Sequence, residues 1–350
     1  MPNTSARAEF APLPEVRWGI LGCGDVTEVK SGPALQKIPG SRLVAVMRRD
    51  AAKAADYARR HGVARWYDDA RALCADPGVN AIYIATPPGS HLELARLAAA
   101  AGKPAYIEKP FSRSAAEAGE INALFAAAGL PVFAAYYRRA LPRFEKVRAL
   151  LAEGVLGRLT GVAVRFASPP QRASWRLDPA IAGAGLFYDL GSHALDLLDH
   201  LLGPLREVSG HAARRGEAHP AVEDTVALSF LAGPEGTPGV GHWNFAASHR
   251  EDVIELHGSA ARLRFAVFAE EPLRLLRADA DTEETFAIPH PPHVQQALLE
   301  TVVAALLSGD ARRCPSTGGS ALRTSRVMDA ALERFYGGRS DAFWLRAAAR

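Results

Sequence analysis

The sequence predicts an α/β domain with a doubly wound parallel sheet, followed by an α+β domain whose sheet is largely antiparallel. Three observations carry this. From residue 16 to about 135, short apolar runs alternate with Ala-rich helical stretches, and such alternation builds βαβ units. The first strand runs directly into Gly22-Cys23-Gly24, a turn that these sheets place at their ligand edge. After residue 135, strand-like runs follow one another without helices, which favours antiparallel pairing. At 350 residues the chain accommodates two domains. We divide it into a tail at 1–14, a first domain at 15–135 and a second at 136–350.

In order, the expected strands of the first domain are 17–21, 42–47, 81–85, 105–107 and 131–134. They are continuously apolar, as suits strands buried on both faces. Helices are expected at 51–60, 91–101 and 115–128, the last opened by Ser114 and Glu117 at capping-box spacing. In the second domain a helix at 141–153 is closed by Gly154 and Gly157. Strands are expected at 159–167, 206–213, 225–231, 240–245, 253–257 and 262–268, with one helix near 185–200 interrupting the series.

Composition narrows the function classes. Hydrophobic content of 48% with 23% charged residues describes a globular chain. A net charge of +3, without a basic cluster, does not call for nucleic acid or an anionic membrane as partner. No apolar run approaches the roughly 20 residues of a membrane span. The first fourteen residues are polar and Pro-rich, lack the apolar core of a secretory signal, and are expected to be a loose tail. Cys23, Cys74 and Cys314 show no metal spacing, and their odd number argues against a disulfide framework. A reducing, cytoplasmic location is expected.

The chemistry-bearing residues of the first domain cluster after strand ends. Gly22 suits a tight turn, Gly24 lets a pyrophosphate approach the backbone, and Asp25 and Val26 open a helix whose amides face it. Thr27 replaces the usual small third residue, so looser helix packing is expected there. Arg48 stands where an acidic ribose ligand is usual, and its guanidinium, with Arg49, suits a 2′-phosphate. In the other reading Asp50 caps the next helix and both arginines are solvated. Thr86-Pro87-Pro88-Gly89-Ser90-His91 ends the fourth expected element at the ligand edge; Ser90 is equally a helix cap, and His91 equally a structural first-turn residue. Lys109 follows the strand at 105–107. It is one of six lysines among 41 basic residues, and its ammonium, unlike a guanidinium, suits proton-handling chemistry.

In the second domain Asp189, His193, Asp196 and His200 fall at helical spacing on one face, opposite Leu190, Ala194, Leu197, Leu198 and Leu201. Asp189 and His193 present a carboxylate and an imidazole together; the plainer reading is an i,i+4 polar pair.

These pieces together resemble the glucose–fructose oxidoreductase / inositol dehydrogenase / rhizopine catabolism family of NAD(P)-dependent oxidoreductases. The resemblance rests on Gly22-x-Gly24, Thr86-Pro87 with His91, and Gly102-Lys103-Pro104 leading to Glu108-Lys109-Pro110. It continues through Trp175-Arg176-x-Asp178-Pro179 and Gly183-x-Gly185 to Asp189-x-Gly191-x-His193, over residues 16–336. It implies a Rossmann domain at 15–135 and, at 136–350, a substrate-binding domain whose open, mainly antiparallel sheet makes homodimer or homotetramer contacts. The cofactor is expected to be NADP by preference, with NAD possible. Gly22, Gly24, Asp25, Val26, Arg48, Arg49, Thr86, Pro87, His91, Glu108, Lys109, Trp175 and Arg176 are expected to line it, with Trp175 alternatively interdomain core. Lys109, Tyr137, Arg138, Arg165, Asp189 and His193 are expected to line the substrate pocket, and no metal is expected.

The expected reaction is oxidation of a secondary alcohol on a sugar, polyol or cyclic polyol, or its reverse. His193 would take the hydroxyl proton, since an imidazole near pKa ~6.5 serves both directions. Lys109 would stabilise the developing alkoxide, and Asp189 would orient the substrate or neighbouring basic groups. Arginines 138, 165 and 176 lean towards a polyhydroxylated or acidic substrate. The alternatives are a reductase of a dihydrodiol or tetrapyrrole, a glycosidase with retained nicotinamide, and a non-catalytic cofactor-sensing regulator.

Overall fold

The computed structural model describes residues 9–171, 174–216 and 222–337. The chain forms two compact units, Met1–Ala140 with Pro291–Leu322, and Leu141–His290 with Arg323–Arg350.

The first unit is built on six parallel strands: β1 (Val16–Leu21), β2 (Ser41–Met47), β3 (Arg65–Tyr67), β4 (Ala81–Ile84), β5 (Ala105–Ile107) and β6 (Val132–Ala134). Their order is β3-β2-β1-β4-β5-β6, so the winding reverses where β1 meets β4. Ligands bind at such a switch point, outside the carboxyl ends of the strands. Strands β4, β5 and β6 are buried throughout. Strand alternation sends their side chains to two cores. Tyr83, Tyr106 and Phe133 join Trp18 and Ile20 in one; Ile82, Ile84 and Ile107 join Leu21 and Phe125 in the other.

Helices α1 (Asp25–Val29), α2 (Gly32–Lys37), α3 (Ala51–His61), α4 (Ala70–Ala75), α5 (His91–Ala100) and α6 (Ala115–Ala127) fill the connections. Asp50, Asp69 and Ser114 cap α3, α4 and α6 by accepting from the amides of Lys53, Arg71 and Glu117. The capping box at Ser114 is half made, because the Glu117 carboxylate accepts from the Arg113 amide instead. Strand β3 and helix α4 lie outside the sequence expectation. Arg65, Trp66 and Tyr67 make a three-residue, mostly exposed edge strand with no apolar run to announce it.

The second unit holds α7 (Pro142–Ala152), α8 (Pro179–Ala182), α9 (Ser192–Leu202) and eight strands. These are β7 (Leu159–Ala167), β8 (Leu205–Ala213), β9 (Thr225–Ala232), β10 (Thr237–Asn244), β11 (Glu251–Gly258), β12 (Ala261–Phe265), β13 (Leu273–Arg277) and β14 (Glu284–Phe286). The order is β14-β13-β12-β11-β7-β10-β9-β8. Only the β7–β10 pair is parallel; the other neighbours are antiparallel. Arg143 of α7 is buried, and its guanidinium donates to the carbonyls of Ala269 and Glu271.

The chain then returns. Helix α10 (Gln296–Ser308) buries Leu298, Leu299, Val302, Val303 and Leu306 in the core that holds Trp18 and Tyr83. Helix α11 (Gly318–Tyr336) begins in the first unit and continues in the second. A single cut at 135/136 therefore misplaces residues 291–322, whose apolar face belongs to the first core. The expected loose tail also needs correction over its described part. The amides of Phe10 and Leu13 donate to the carbonyls of Gly309 and Leu306, and Glu9 bridges to Asp310. Residues 1–8 lie outside the described residues.

Thr27 does not loosen its helix. It is fully buried, and its Oγ1 accepts from the Gly24 amide at 3.1 Å and donates to the Gly24 carbonyl at 2.8 Å. The close approach is carried by Gly32 instead, where a Cβ would stand 2.1 Å from the Thr27 carbonyl oxygen. The Tyr57 hydroxyl, donating to that same oxygen, would be 2.5 Å away. Gly32→Ala should therefore destabilise the protein by about 1–3 kcal/mol through overpacking against backbone. Urea unfolding of the two proteins measures it, and equal midpoints would contradict the close contact.

Candidate active site

At the carboxyl edge of the first sheet, β1 opens into Gly22, which has φ +91°. A Cβ there would lie 2.5 Å from Thr86 Cγ2, just beyond β4. Glycine is thus required twice, by conformation and by space. The amides of Gly22 and Cys23 donate to the Met47 carbonyl at the end of β2 (2.9 and 3.1 Å). Gly24 is extended, and a Cβ on it would meet nothing nearer than the Gly22 oxygen at 3.9 Å. The backbone is therefore open on that side, with exposed Asp25 and half-buried Val26 beginning α1. This loop fits a dinucleotide pyrophosphate.

Arg48 is half-buried, and its guanidinium donates to the Cys23 carbonyl at 3.3 Å, beside the glycine turn. Arg49 is exposed, and Asp50 is the cap of α3. The two sequence readings are thus each partly met: Asp50 caps and Arg49 is solvated, but Arg48 is held against the loop. Burial pushes the Cys23 thiol up to about 11 against the opposing pull of Arg48, so it stays protonated near neutrality.

Beyond β4, the Ser90 hydroxyl donates to Thr86 Oγ1 (2.8 Å) or to the Pro87 carbonyl (3.0 Å), and makes no side-chain cap for α5. Pro87 is exposed. His91 was expected among the cofactor contacts. It is instead fully buried, with Nε2 2.7 Å from the Thr86 carbonyl and Nδ1 3.2 Å from the Phe111 carbonyl. Each ring nitrogen faces a backbone carbonyl, and the neutral ring donates to one of the two, so His91 sits between the loop after β4 and the loop after β5. Burial lowers its pKa, and the two carbonyls oppose that shift.

Glu108 and Lys109 follow β5, and the Lys109–Pro110 peptide is cis. Glu108 was also expected to face the cofactor. Its carboxylate is 6% exposed and accepts from Tyr83 Oη, Gln295 Nε2 and the Lys109 amide. Lys109 is half-buried. Tyr137 and Arg138 form a short 3₁₀ turn after β6, with the Arg138 guanidinium over the Tyr137 ring at 4.9 Å and Arg138 buried. Gln295 escaped the sequence reading. Only its place before the apolar pattern of α10 could have marked it.

In the second unit, Asp189 lies in a π turn (Phe187–Gly191) that runs into α9, and His193 lies in the first turn of α9. A Cβ on Gly191 would stand 2.5 Å from the Phe187 ring, which packs edge-on against Trp243. The π turn breaks the α-helical register, so one face does not carry all four expected residues. Asp196 accepts from the Thr324 hydroxyl, and Asp199 accepts two bonds from Arg323. These carboxylates fasten α11. Asp189 and His193 are both buried, at 6% and 3% exposure.

Asp189 Oδ2 accepts from Arg176 Nε at 2.9 Å, and the same guanidinium stacks over Trp175 at 4.5 Å. Trp175 is exposed. The His193 ring meets Phe268 edge-on at 5.5 Å. Phe268 in turn contacts Phe166, which contacts Phe245. The turn bearing Phe268 is held by Asp252, which accepts from the amides of Val267, Phe268 and Ala269.

Arg165 requires correction. It is paired in register with Val253, while its neighbour Phe166 is paired with Asp252. Successive residues of a strand point to opposite faces, so Arg165 lies on the face away from Phe166, Phe268 and His193. There it donates to Glu251 and Glu255 at 2.9 and 3.1 Å. It is not a substrate contact beside His193.

Among the described residues, no group of three or more His, Cys, Asp or Glu is placed to hold a metal ion. Among the described residues, no helix is long and apolar enough to cross a membrane.

With this geometry in hand, comparison with known proteins gives consistent matches. Residues 16–136 match the oxidoreductase family with NAD-binding Rossmann fold, GFO/IDH/MocA, and residues 144–264 match the GFO/IDH/MocA C-terminal domain. An oxidoreductase of Formosa agariphila is 34% identical over 322 residues, covering 90% of this chain and 97% of that one. The trans-1,2-dihydrobenzene-1,2-diol dehydrogenase of Bos taurus is 33% identical over 227 residues, 64% of this chain and 66% of that one. Levoglucosan dehydrogenase, solved with NADH and levoglucosan, shares the fold with a TM-score of 0.78 at 22% identity, over 91% of this chain and 96% of that one.

His91 sets a pH-dependent term whose sign is fixed by its burial. Its folded pKa lies below the ordinary 6.5, so the unfolded chain binds the proton more readily. Its contribution is complete above that ordinary value and is lost as pH falls. The stability difference between wild type and His91→Gln should shrink from pH 7.5 to pH 5.5, read by urea unfolding at each pH. A constant difference would show that the imidazole is not the titrating brace.

Proposed function

This chain belongs to the GFO/IDH/MocA family of NAD-binding oxidoreductases, and from that premise we propose that it moves a hydride between nicotinamide and a secondary alcohol or ketone of a sugar, polyol or cyclic polyol. One observation, internal to the first unit, carries the reading. Lys109 follows β5 at the carboxyl edge of the parallel sheet, the edge at which β1 opens into Gly22-Cys23-Gly24. An ammonium at the same sheet edge as a dinucleotide loop, with β4 between their strands, is suited to an oxygen on which charge develops.

Lys109 donates a hydrogen bond to the reacting oxygen and stabilises it as its proton leaves. His193 takes that proton in one direction and returns it in the other. Asp189, held by Arg176, orients the substrate hydroxyls. When bound, the nicotinamide supplies the acceptor or donor of the hydride. Arg48, held at the Cys23 carbonyl where an acidic ribose ligand is usual, supports NADP as the preferred cofactor.

A second reading is favoured by the aromatic contacts of His193. Phe268, Phe166 and Phe245 form a chain beginning at that ring, and Arg165 points away from it. Such surroundings suit a flatter, less polar diol, as the name of the Bos taurus relative also suggests. Both readings keep a secondary hydroxyl with a hydroxyl neighbour. A nicotinamide absorbance screen of anhydrosugars, inositols and cyclic dihydrodiols with both cofactors separates them by rate.

Two variants test the assignments. Lys109→Met should lower kcat by about 100-fold or more with cofactor affinity kept, on the scale of losing one alkoxide-stabilising donor. Near-normal turnover would remove Lys109 from the reaction. Arg48→Asp should weaken NADPH relative to NADH by about tenfold or more, as loss of a charge-assisted bond to phosphate requires. An unchanged ratio of the two dissociation constants would refute the 2′-phosphate role.

A further inference from the structure

We propose that Gln295 is a positioning residue for Lys109, acting through the carboxylate of Glu108. The proposal rests on the reading of Lys109 as catalytic.

The sheet ladder ends at this point. The Glu108 amide makes the last bond, to the Ile84 carbonyl at 2.9 Å. The next amide, that of Lys109, is taken by Glu108 Oε2 at 3.1 Å. The carboxylate thus stands in for the missing strand and fixes the peptide from which the Lys109 side chain departs. Its other oxygen is held from two sides, by Tyr83 Oη and Gln295 Nε2, each at 2.6 Å.

Gln295 is fully buried and held at three points. Its Oε1 accepts from Tyr106 Oη at 2.9 Å, its Nε2 donates to Glu108, and its amide donates to the Lys30 carbonyl at 3.3 Å. A phenol that donates to Oε1 leaves only the NH₂ end to face Glu108. Burial and the Glu108 charge push both Tyr83 and Tyr106 well above the usual phenol range, so they remain donors. The titratable groups around this network include Tyr83, Tyr106, Tyr137, His91, Cys314 and Lys109 itself. Lys30 lies between α1 and α2, just after the dinucleotide loop. One residue on the returning segment, through its backbone amide to Lys30 and its side chain to Glu108, therefore ties that corner to the peptide of Lys109. Without Gln295, a buried carboxylate loses one of its three donors and must turn to recover it. Turning Glu108 shifts the peptide at Lys109.

Gln295→Leu and Gln295→Glu separate positioning from folding. In Gln295→Leu, kcat on the best alcohol of the screen should fall about tenfold or more, with the NADPH dissociation constant within twofold, as a small misplacement of a catalytic group costs rate. In Gln295→Glu, two carboxyls 2.6 Å apart would share one proton. Activity should then be retained at low pH and lost as pH rises, a limb absent from wild type and from Gln295→Leu.

A substrate-free readout uses the ¹³C resonances of dimethylated lysines, of which the chain has six. The Lys109 resonance, assigned by its loss in Lys109→Arg, should move in both Gln295 variants while the other five stay in place. If either variant fails to fold, Tyr106→Phe keeps the bulk, frees Gln295 Oε1, and should move the same resonance and lower kcat several-fold. Wild-type kcat, pH profile and Lys109 resonance in these variants, with Lys109→Met inactive, would overturn the proposal. Full activity of Lys109→Met would instead remove its premise.

Discussion

The first unit depends on one close approach, that of Gly22 to Thr86, where no Cβ can be accommodated. It lets β1 and β4 end side by side at the point where the winding of the sheet reverses. From there the chain ends are linked in sequence. Gly22 and Cys23 bond the end of β2, Ala85 bonds the end of β1, Glu108 bonds the end of β4, and Ala135 bonds the end of β5. Each strand outlasts its neighbour by one amide. The glycine loop and Lys109 are therefore positioned by the same series of backbone bonds.

A parallel sheet that stops inside a protein leaves amides and carbonyls without partners. Each costs about 1–3 kcal/mol if buried unsatisfied. Side chains meet that need here. His91 faces the Thr86 and Phe111 carbonyls and, when neutral, donates to one of them; Glu108 accepts from the Lys109 amide, and the Ser316 hydroxyl donates to the Ala134 carbonyl. Polar residues at this edge are thus of two kinds. Those that complete the backbone are buried and bonded to it; Lys109, half-buried, follows directly on one of them. His91 and Glu108 belong to the first kind, although their place in a motif suggests the second.

What the sequence made legible follows from the range of the interactions involved. Buried parallel strands are continuous apolar runs, so β1, β2, β4, β5 and β6 could be read locally. A glycine turn after a strand is likewise local. Strand β3 has an edge position and three residues, which leaves no pattern. The return of α10 to the first core is a long-range fact: its apolar spacing marks a helix but not its partner. Gln295 is legible only once that partner is known. Asp189 and His193 could be found by spacing, but the π turn that holds Asp189 alters the register that spacing assumes between it and the residues of α9.

Arg165 shows the same limit most sharply. A one-residue difference in phase decides which face of a strand a side chain joins. The pairing of β7 with β11 sends Phe166 and Asp252 to one face and Arg165 to the other. Arginines 138, 165 and 176 in the sequence lean towards a polyhydroxylated or acidic substrate; register turns Arg165 away and sets an aromatic ring against His193. Asp252 holds that ring by three backbone amides, and Arg143 holds the following carbonyls, so the contact is fixed from both sides. The Arg176–Asp189 pair is the polar counterpart in this unit, with the Asp189 side chain 8% exposed and that of Arg176 41% exposed. Under the proposed function, an oriented carboxylate in the same unit as this aromatic wall would select ring hydroxyls by their direction more than by substrate charge.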